Sequence, residues 1–352
     1  MIICDLLTGF LGSGKTTLLN SFLRTPAGAD TAVIVNEFGA IGLDQLLYKE
    51  VSTDVYLLES GCLCCTVVHS LRETLLAIRD LTARMGRPQL RGMVIETTGL
   101  ADPSPILHSL LGDRALADFK LGQVITTVDA VQGEAQLKKY AESFRQVSMA
   151  DHIVITKTDL VDDPTLRALR LKMIEINAFA QVTESVAGSS AVEVFDYNSP
   201  SRGQQLLRRP RDDCVWRESG NSDSATFVNS AATFAHNNEI GSWSSFVDVR
   251  PVWAGVSAWW NLLVHQYRGR LLRCKGLLNM NEMHPFVLIQ GVGEVFHSPT
   301  ILSQWPDADV RGRIVCIGLR LDPGWLQNSL QALSITEPSS QPLTLDELRD
   351  CL

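Results

Sequence analysis

With 352 residues, the chain is long enough for two compact domains, since a single core rarely grows beyond about 250 to 300 residues. Hydrophobic residues make up 45% of the sequence and charged residues 20%, which excludes extensive disorder. A formal net charge of -8 argues against nucleic acid as the principal partner. There is no uninterrupted apolar run of about 18 residues, so we expect a cytoplasmic protein that does not act at a membrane.

Short apolar runs alternate with amphipathic stretches through the first half of the chain. They predict strands at 2–7, 31–35, 55–58, 93–95, 124–128 and 153–155. Helical spacing of Leu, Ile, Val and Met over 67–85 and 164–178 predicts helices between strands. This order predicts an α/β fold with a doubly wound, mostly parallel sheet, which we assign to residues 1–188.

The second half of the chain has a different organisation. Residues 189–224 lack periodicity and are predicted to be a linker. A smaller α+β domain is predicted at 225–333, followed by a polar tail at 334–352 that contains a short capped helix at 344–352. The elements predicted in this domain are strands at 243–249, 271–278, 286–289 and 314–319 and a helix at 251–267. The helical spacing of Trp253, Trp259, Trp260 and Tyr267 favours core packing over an exposed surface that binds a partner.

A phosphate-binding loop is the most specific motif in the sequence. Residues 9–16, GFLGSGKT, fit the pattern GxxxxGK[ST] between an apolar strand and a helical segment. Glycines let the loop's backbone amides face a polyphosphate, Lys15 reaches the terminal phosphates, and Thr16 offers a hydroxyl to Mg²⁺. An ordinary Gly-rich turn is the alternative. The predicted nucleotide-binding residues here are Gly9, Gly12, Ser13, Gly14, Lys15, Thr16 and Thr17.

Two acidic residues follow predicted strands of the first half. Glu96 begins Glu-Thr-Thr-Gly, where a P-loop protein places an acid for the Mg²⁺-bound or attacking water and a glycine, Gly99, that senses the γ-phosphate. Glu37 lies in Asn-Glu-Phe-Gly, a place suited to a nucleotide-sensitive switch, and could bind Mg²⁺ or a second metal. Carboxyl ends of parallel strands form the edge of such sites. We predict Lys15, Thr16, Glu96 and Gly99 as the catalytic group; solvated carboxylates are the alternative for the two acids.

The tetrapeptide at 156–159, Thr-Lys-Thr-Asp, resembles the guanine-specificity tetrad Asn-Lys-x-Asp. An Asp there accepts hydrogen bonds from guanine N1–H and the exocyclic amine, so a buried Asp159 would be left unpaired by ATP. Thr156 replaces the commonest Asn, which weakens one polar contact. We therefore predict that Thr156, Lys157 and Asp159 bind guanine, with a plain helix cap at Asp159 as the alternative.

Three thiols occur within four residues, at Cys62, Cys64 and Cys65, between a predicted strand and a predicted helix. Thiolates near a helix N-terminus suit Zn²⁺ or another thiophilic divalent metal. A structural zinc site normally has four protein ligands at broader spacing. The trio therefore predicts an exchangeable site that Glu37, His69, water or a partner completes. Reduced core cysteines and redox sensing are the alternatives.

Together these motifs resemble the CobW-type family of P-loop GTPases. GFLGSGKTT, NEFG, GCLCC, ETTGLADP and TKTD occur in the family's order between residues 6 and 178, and the second half is more loosely similar to its C-terminal domain. The resemblance implies a GTPase that delivers zinc to, or activates, a client metalloprotein, with zinc at the three cysteines. Members often carry His-rich linkers, whereas residues 189–224 contain no histidine, which argues against metal storage.

Several functional alternatives stay open at this point. The chain could be a nucleotide-dependent regulator without metal transfer, or an ATP-dependent small-molecule kinase. The partners that we consider are GTP or GDP, a client metalloprotein and further copies of the chain in a homo-oligomer. The motifs contain no candidate arginine finger, so we expect slow intrinsic turnover.

Overall fold

The computed structural model describes residues 2–28, 31–35, 55–57, 65–84, 90, 92–116, 118–177, 180–195, 226–228, 240–305 and 309–336. The chain divides into two compact units, Met1–Leu206 and Leu207–Leu352. No helix within the described ranges combines the length and the apolar character needed to cross a membrane.

The described part of the first unit is built on a seven-stranded sheet in the order β3-β2-β4-β1-β5-β6-β7. All of its neighbouring strands pair in parallel. Strands β2, β4 and β6 are buried along their whole length, as expected when both faces of a parallel sheet are covered. The strands are β1 Ile2–Gly9, β2 Thr31–Val35, β3 Val55–Leu57, β4 Gly92–Glu96, β5 Phe119–Asp129, β6 His152–Thr156 and β7 Gln181–Ser185. The predicted doubly wound α/β fold is confirmed.

Seven α-helices connect or flank these strands among the described residues. They are α1 Lys15–Leu23, α2 Cys65–Arg84, α3 Ser104–Gly112, α4 Gly133–Lys139, α5 Ala141–Ser148, α6 Asp163–Ile176 and α7 Ala191–Phe195. Short 3-10 helices lie at Arg114–Leu116 and Thr158–Leu160.

Helix α7 lies inside the segment predicted as linker, which is a correction to that prediction. Phe195 is fully buried, and its ring centroid lies 5.0 Å from that of Phe22 on α1. Ala191 and Val194 are buried in the same apolar cluster. Because these side chains complete the packing around α1, residues 191–195 belong to the core of the first unit. The rest of the predicted linker, 196–224, lies outside the described residues.

The strand order places a candidate site at one edge of the first sheet. Strand β1 lies between β4 and β5, so the chain runs to opposite sides of β1 to form them. Ligands of open α/β sheets bind beyond the carboxyl ends of the strands where the order reverses in this way. The loop after β1 therefore lies at the expected position for a ligand.

The second unit has an antiparallel sheet in the order β12-β11-β10-β14-β9-β8, and β13 also pairs with β11. Its strands are β8 Thr226–Val228, β9 Ile240–Val247, β10 Leu271–Asn279, β11 Phe286–Val292, β12 Val295–Phe296, β13 Thr300–Ile301 and β14 Gly312–Leu319. Its helices are α8 Trp253–Gln266, α9 Pro323–Ser329 and the 3-10 helix Leu330–Ser334. This architecture confirms the predicted α+β domain. The helix predicted at 344–352 lies outside the described residues.

Helix α8 forms the apolar core of the second unit with the sheet. Trp259, Trp260 and Tyr267 are buried in this core, which confirms the packing prediction for these three, whereas Trp253 is 37% exposed. The Trp259 indole donates a hydrogen bond to Ser329 Oγ at 3.1 Å. The Trp259 ring is therefore buried in the core while its polar N–H group keeps a hydrogen-bond partner.

Two cysteines of the second unit pack against each other in that core. Cys274 and Cys316 are directly opposite on β10 and β14, with their sulfur atoms 3.8 Å apart. Burial raises the pKa of the Cys316 thiol well above its ordinary value, so this thiol is protonated at neutral pH. These two cysteines are reduced core residues.

Candidate nucleotide-binding site

The loop between β1 and α1 has the backbone conformation that its glycines permit. Gly9, Gly12 and Gly14 have φ angles of 139°, 71° and 89°, a region that side chains disfavour. A Cβ on Gly9 would lie 2.5 Å from the carbonyl oxygen of Thr127 on β5. The chain then enters α1 at Lys15, so the loop leads into a helix N-terminus, whose amides favour an anion.

Lys15 folds back over this loop. Its Nζ donates hydrogen bonds to the carbonyl oxygens of Gly9 at 2.9 Å and Phe10 at 3.3 Å, and the residue is 9% exposed. Its positive charge is thus held inside the curve of the loop. An anionic phosphate oxygen would make a stronger bond with this ammonium group than a neutral carbonyl does.

Thr16 and Glu96 meet beside the loop. Thr16 Oγ1 donates a hydrogen bond to Glu96 Oε1 at 3.2 Å, and Glu96, at the carboxyl end of β4, is 3% exposed. Hydroxyl and carboxylate oxygens are hard ligands of the kind that Mg²⁺ prefers. The pair therefore fits the predicted magnesium site. Thr17 follows in the first turn of α1 with its side chain exposed.

Gly99 lies directly against the phosphate loop. A Cβ at this position would be 2.6 Å from the backbone nitrogen of Leu11, which leaves no room for a side chain. Upstream, Thr97 donates through its hydroxyl to Thr8 Oγ1 at 2.9 Å. The segment after β4 is thus packed on the segment after β1.

Thr156 ties the predicted base-binding turn to the phosphate loop. Its hydroxyl donates to the carbonyl oxygen of Ser13 at 2.8 Å, and Gly14 is the next residue of the loop. The Ser13 hydroxyl is 2.6 Å from Thr127 Oγ1 on β5. Threonine in place of the usual asparagine therefore still joins the two parts of the site.

Lys157 is held by an acid that the sequence analysis missed. Lys157 has a left-handed conformation with φ 56°, and its Nζ donates to Asp129 Oδ2 at 2.6 Å. Asp129 is 4% exposed, and its other carboxylate oxygen accepts from the amides of Val131 and Gln132. The signal for Asp129 was present in the sequence, because it follows the predicted strand 124–128 just as Glu96 follows its own strand.

Asp159 lies in the 3-10 helix Thr158–Leu160 and is exposed. The preference for guanine over adenine was inferred for a buried Asp159, and this structure does not show that burial. The neighbouring Leu160 is 63% exposed. A penalty against ATP from an unpaired Asp159 carboxylate arises only if the carboxylate is out of water. The bound base itself must therefore cover Asp159.

Comparison with known protein families identifies both units. Residues 4–184 match the CobW/HypB/UreG nucleotide-binding domain. The chain belongs to this CobW family. Residues 240–334 match the C-terminal domain of the cobalamin synthesis protein CobW, so the second unit also has a counterpart in CobW proteins.

Two CobW relatives match this chain, one over most of its length and the other over about half. The zinc chaperone YjiA of Escherichia coli is 31% identical over 323 residues, which are 91% of this chain and 95% of YjiA. Zinc-regulated GTPase metalloprotein activator 1 of Schizosaccharomyces pombe is 36% identical over 191 residues, 52% of this chain and 45% of that protein.

Solved structures agree with this assignment to the CobW family. The crystal structure of Zn(II)-bound YjiA GTPase from E. coli has a TM-score of 0.64 at 25% identity, covering 95% of this chain and 99% of YjiA. A Zn(II)-bound YjiA triple mutant, in which one glutamate and two cysteines are replaced by alanine, has a TM-score of 0.66. It is 25% identical and covers 94% of this chain and 98% of that one.

The residues predicted to bind zinc are not among the described side chains of this CobW protein. Glu37, Cys62 and Cys64 lie outside the described residues, and Cys65 is described only as the first residue of α2. Within the described part of the chain, no three His, Cys, Asp or Glu side chains are grouped to hold a metal. The zinc site therefore stays a prediction from the sequence.

Proposed function

We propose that this protein is a GTP-hydrolysing zinc chaperone that delivers zinc to, or activates, a client metalloprotein. The observation that carries the proposal is the convergence of Lys15, Thr16 and Glu96 on one phosphate loop at the reversal point of the sheet. Relatives named as zinc chaperones or as a zinc-regulated GTPase activator support the zinc part of the proposal.

In this proposal the phosphate loop binds and orients the triphosphate. The Lys15 ammonium, now on the Gly9 and Phe10 carbonyls, moves to the terminal phosphate oxygens and stabilises the charge that develops during transfer. Glu96 orients the attacking water, and Gly99 offers its backbone amide to the γ-phosphate. Mg²⁺, when bound near Thr16 and Glu96, supplies positive charge that neutralises the phosphates.

Base selection is assigned to the turn that follows β6. Asp159 accepts from guanine, and the aliphatic stem of Lys157 packs on the base. Two contacts support this role. Asp129 fixes Lys157 through a bond at 2.6 Å, and Thr156 fixes the turn to Ser13 at 2.8 Å. These contacts connect the turn after β6 to the phosphate loop and hold Lys157, which supports the assignment of base recognition to this turn.

We assign zinc cargo to Cys62, Cys64 and Cys65, with Glu37 as a candidate further ligand. In the sequence, Glu37 is two residues beyond the end of β2, whose last residue, Val35, pairs with Glu96. We propose that the nucleotide state changes zinc affinity through Glu37. The YjiA mutant without one glutamate and two cysteines is still described as zinc-bound, so zinc measurements must separate the thiol-dependent site from other sites.

Lys15→Ala tests the nucleotide site. The wild type should hydrolyse GTP in preference to ATP, and the variant should lose turnover by roughly 100-fold, because the charge on the transferring phosphoryl group loses its ammonium partner. A phosphate-release assay with GTP or ATP measures both. The matched control is Lys138→Ala, an exposed lysine on α4 whose only described ion pair is with Glu134 one turn away, and it should keep wild-type turnover.

Three other outcomes would each contradict part of this proposal. Normal turnover in Lys15→Ala contradicts the assigned site. A preference for ATP with phosphorylation of an added acceptor favours a small-molecule kinase. Tight GTP binding without measurable turnover in the wild type favours a nucleotide-dependent regulator.

A further inference from the structure

One side chain of helix α5 holds the segment that follows β4. Gln146 is fully buried, and its Nε2 donates hydrogen bonds to the carbonyl oxygens of Gly99 at 3.2 Å and Ala101 at 3.0 Å. Both partners are acceptors, so only the amide NH₂ group can face them. The chemistry of this contact therefore requires a donor with two hydrogens at residue 146.

The adjacent residue on α5 holds the next part of the same segment. Arg145 Nη1 lies 2.9 Å from Asp102 Oδ2 in a half-exposed ion pair. The other oxygen of Asp102 accepts from the backbone amide of Ser104, the first residue of α3. Residues 99–102 are therefore fixed between α5 and α3.

Helix α5 is itself anchored on two sides. The Thr126 hydroxyl on β5 donates to the backbone oxygen of Gln146 at 2.9 Å. At the start of α5, Tyr140 stacks on Phe10 of the phosphate loop with ring centroids 4.6 Å apart. Because α5 is held by more than one contact, it should keep its place when a single anchor is lost, and its buried Gln146 amide can position the backbone that it binds.

We infer that Gln146 is a positioning residue for nucleotide hydrolysis. By holding the Gly99 and Ala101 carbonyls, it fixes the position of Gly99 against Leu11, where this backbone faces the phosphate loop. Gln146 acts through Gly99 and does not itself touch nucleotide. The inference rests on the proposed function, because it assigns Gly99 to the γ-phosphate.

Gln146→Met tests the inference, since methionine has nearly the same length but no donor. The rate constant of single-turnover GTP hydrolysis should fall roughly ten- to hundredfold, because small displacements of a reacting group are costly. Affinity for a fluorescent GDP analogue should change by less than about threefold, because GDP has no γ-phosphate to be misplaced.

The matched control is Thr126→Val, which removes a buried hydrogen bond to the backbone of Gln146 but leaves both bonds to residues 99 and 101. Its stability should fall, while its hydrolysis rate constant stays within about threefold of the wild type. Gln146→Asn keeps the amide but is one methylene too short, and should reproduce the Gln146→Met result if that variant does not fold.

Two results would overturn the inference. One is a wild-type hydrolysis rate constant in a folded Gln146 variant. The other is an equal loss in Thr126→Val, which would reduce Gln146 to a structural role. Absence of GTP hydrolysis in the wild type is a separate result. It would contradict the proposed function itself, independently of the role of Gln146.

Discussion

At the scale of single residues, Gly9 and Gly12 share positive φ angles but have different surroundings. A Cβ on Gly9 would lie 2.5 Å from the Thr127 carbonyl oxygen and 2.8 Å from Ser13 Oγ. A Cβ on Gly12 would meet no atom within 4 Å among the described residues. Of these two glycines, only Gly9 therefore combines a strained backbone conformation with close contact to β5.

Gly9→Ala should destabilise the first unit by at least about 1 kcal/mol and weaken nucleotide binding, because the methyl group collides with backbone on β5. Gly12→Ala introduces backbone strain without a steric clash, so it should lower the free energy of unfolding by less. Calorimetric unfolding of both variants, with and without GDP, makes the comparison. Equal losses of stability in the two variants would show that backbone strain alone, and not contact with Thr127, determines the need for glycine.

The residues of the candidate site differ in how far the sequence could reveal them. Lys15, Thr16 and Glu96 belong to contiguous motifs, and the structure brings them together. Asp129 carried the same strand-end signal and was overlooked. Gln146 had no such signal, because its role depends on how α5 lies against residues 99–101 and not on any local spacing.

At the scale of elements, the strands and helices with strong apolar periodicity were predictable. Strand β7 was not, because only Val182 and Ser185 of Gln181–Ser185 are buried at this edge of the sheet. Helix α7 was missed because five residues carry too little periodicity. Both elements are specified by tertiary packing, which local patterns do not contain.

Helix α9 offers a test at this scale. The Asp322 side chain accepts from the amides of Gly324 at 2.9 Å and Trp325 at 3.1 Å, so it caps the helix. Asp322→Ala should destabilise the second unit by about 1 kcal/mol, whereas Asp322→Asn, which keeps an acceptor, should cost only a few tenths. Urea unfolding followed by tryptophan fluorescence measures both, since all seven Trp residues lie between 216 and 325. Identical stability of the two variants would contradict the capping role.

At the scale of the whole molecule, both fold classes followed from the sequence and both units match CobW domains. The structure adds the contact that joins the phosphate loop to the turn after β6, through Thr156 and Ser13. The link from nucleotide to zinc rests on Glu37 and the three cysteines, which lie outside the described side chains. That link is the central claim of the proposed function.

Isothermal titration of Zn²⁺ into the reduced protein tests this claim most directly. Nucleotide-free, GDP-bound and GTP-analogue-bound protein should be compared with a control that combines Cys62→Ser, Cys64→Ser and Cys65→Ser. A GTP-gated chaperone predicts a tight site that the control lacks and whose affinity differs between the GDP and GTP-analogue forms. Equal zinc affinity in all nucleotide states, or a control that retains the tight site, would contradict the account.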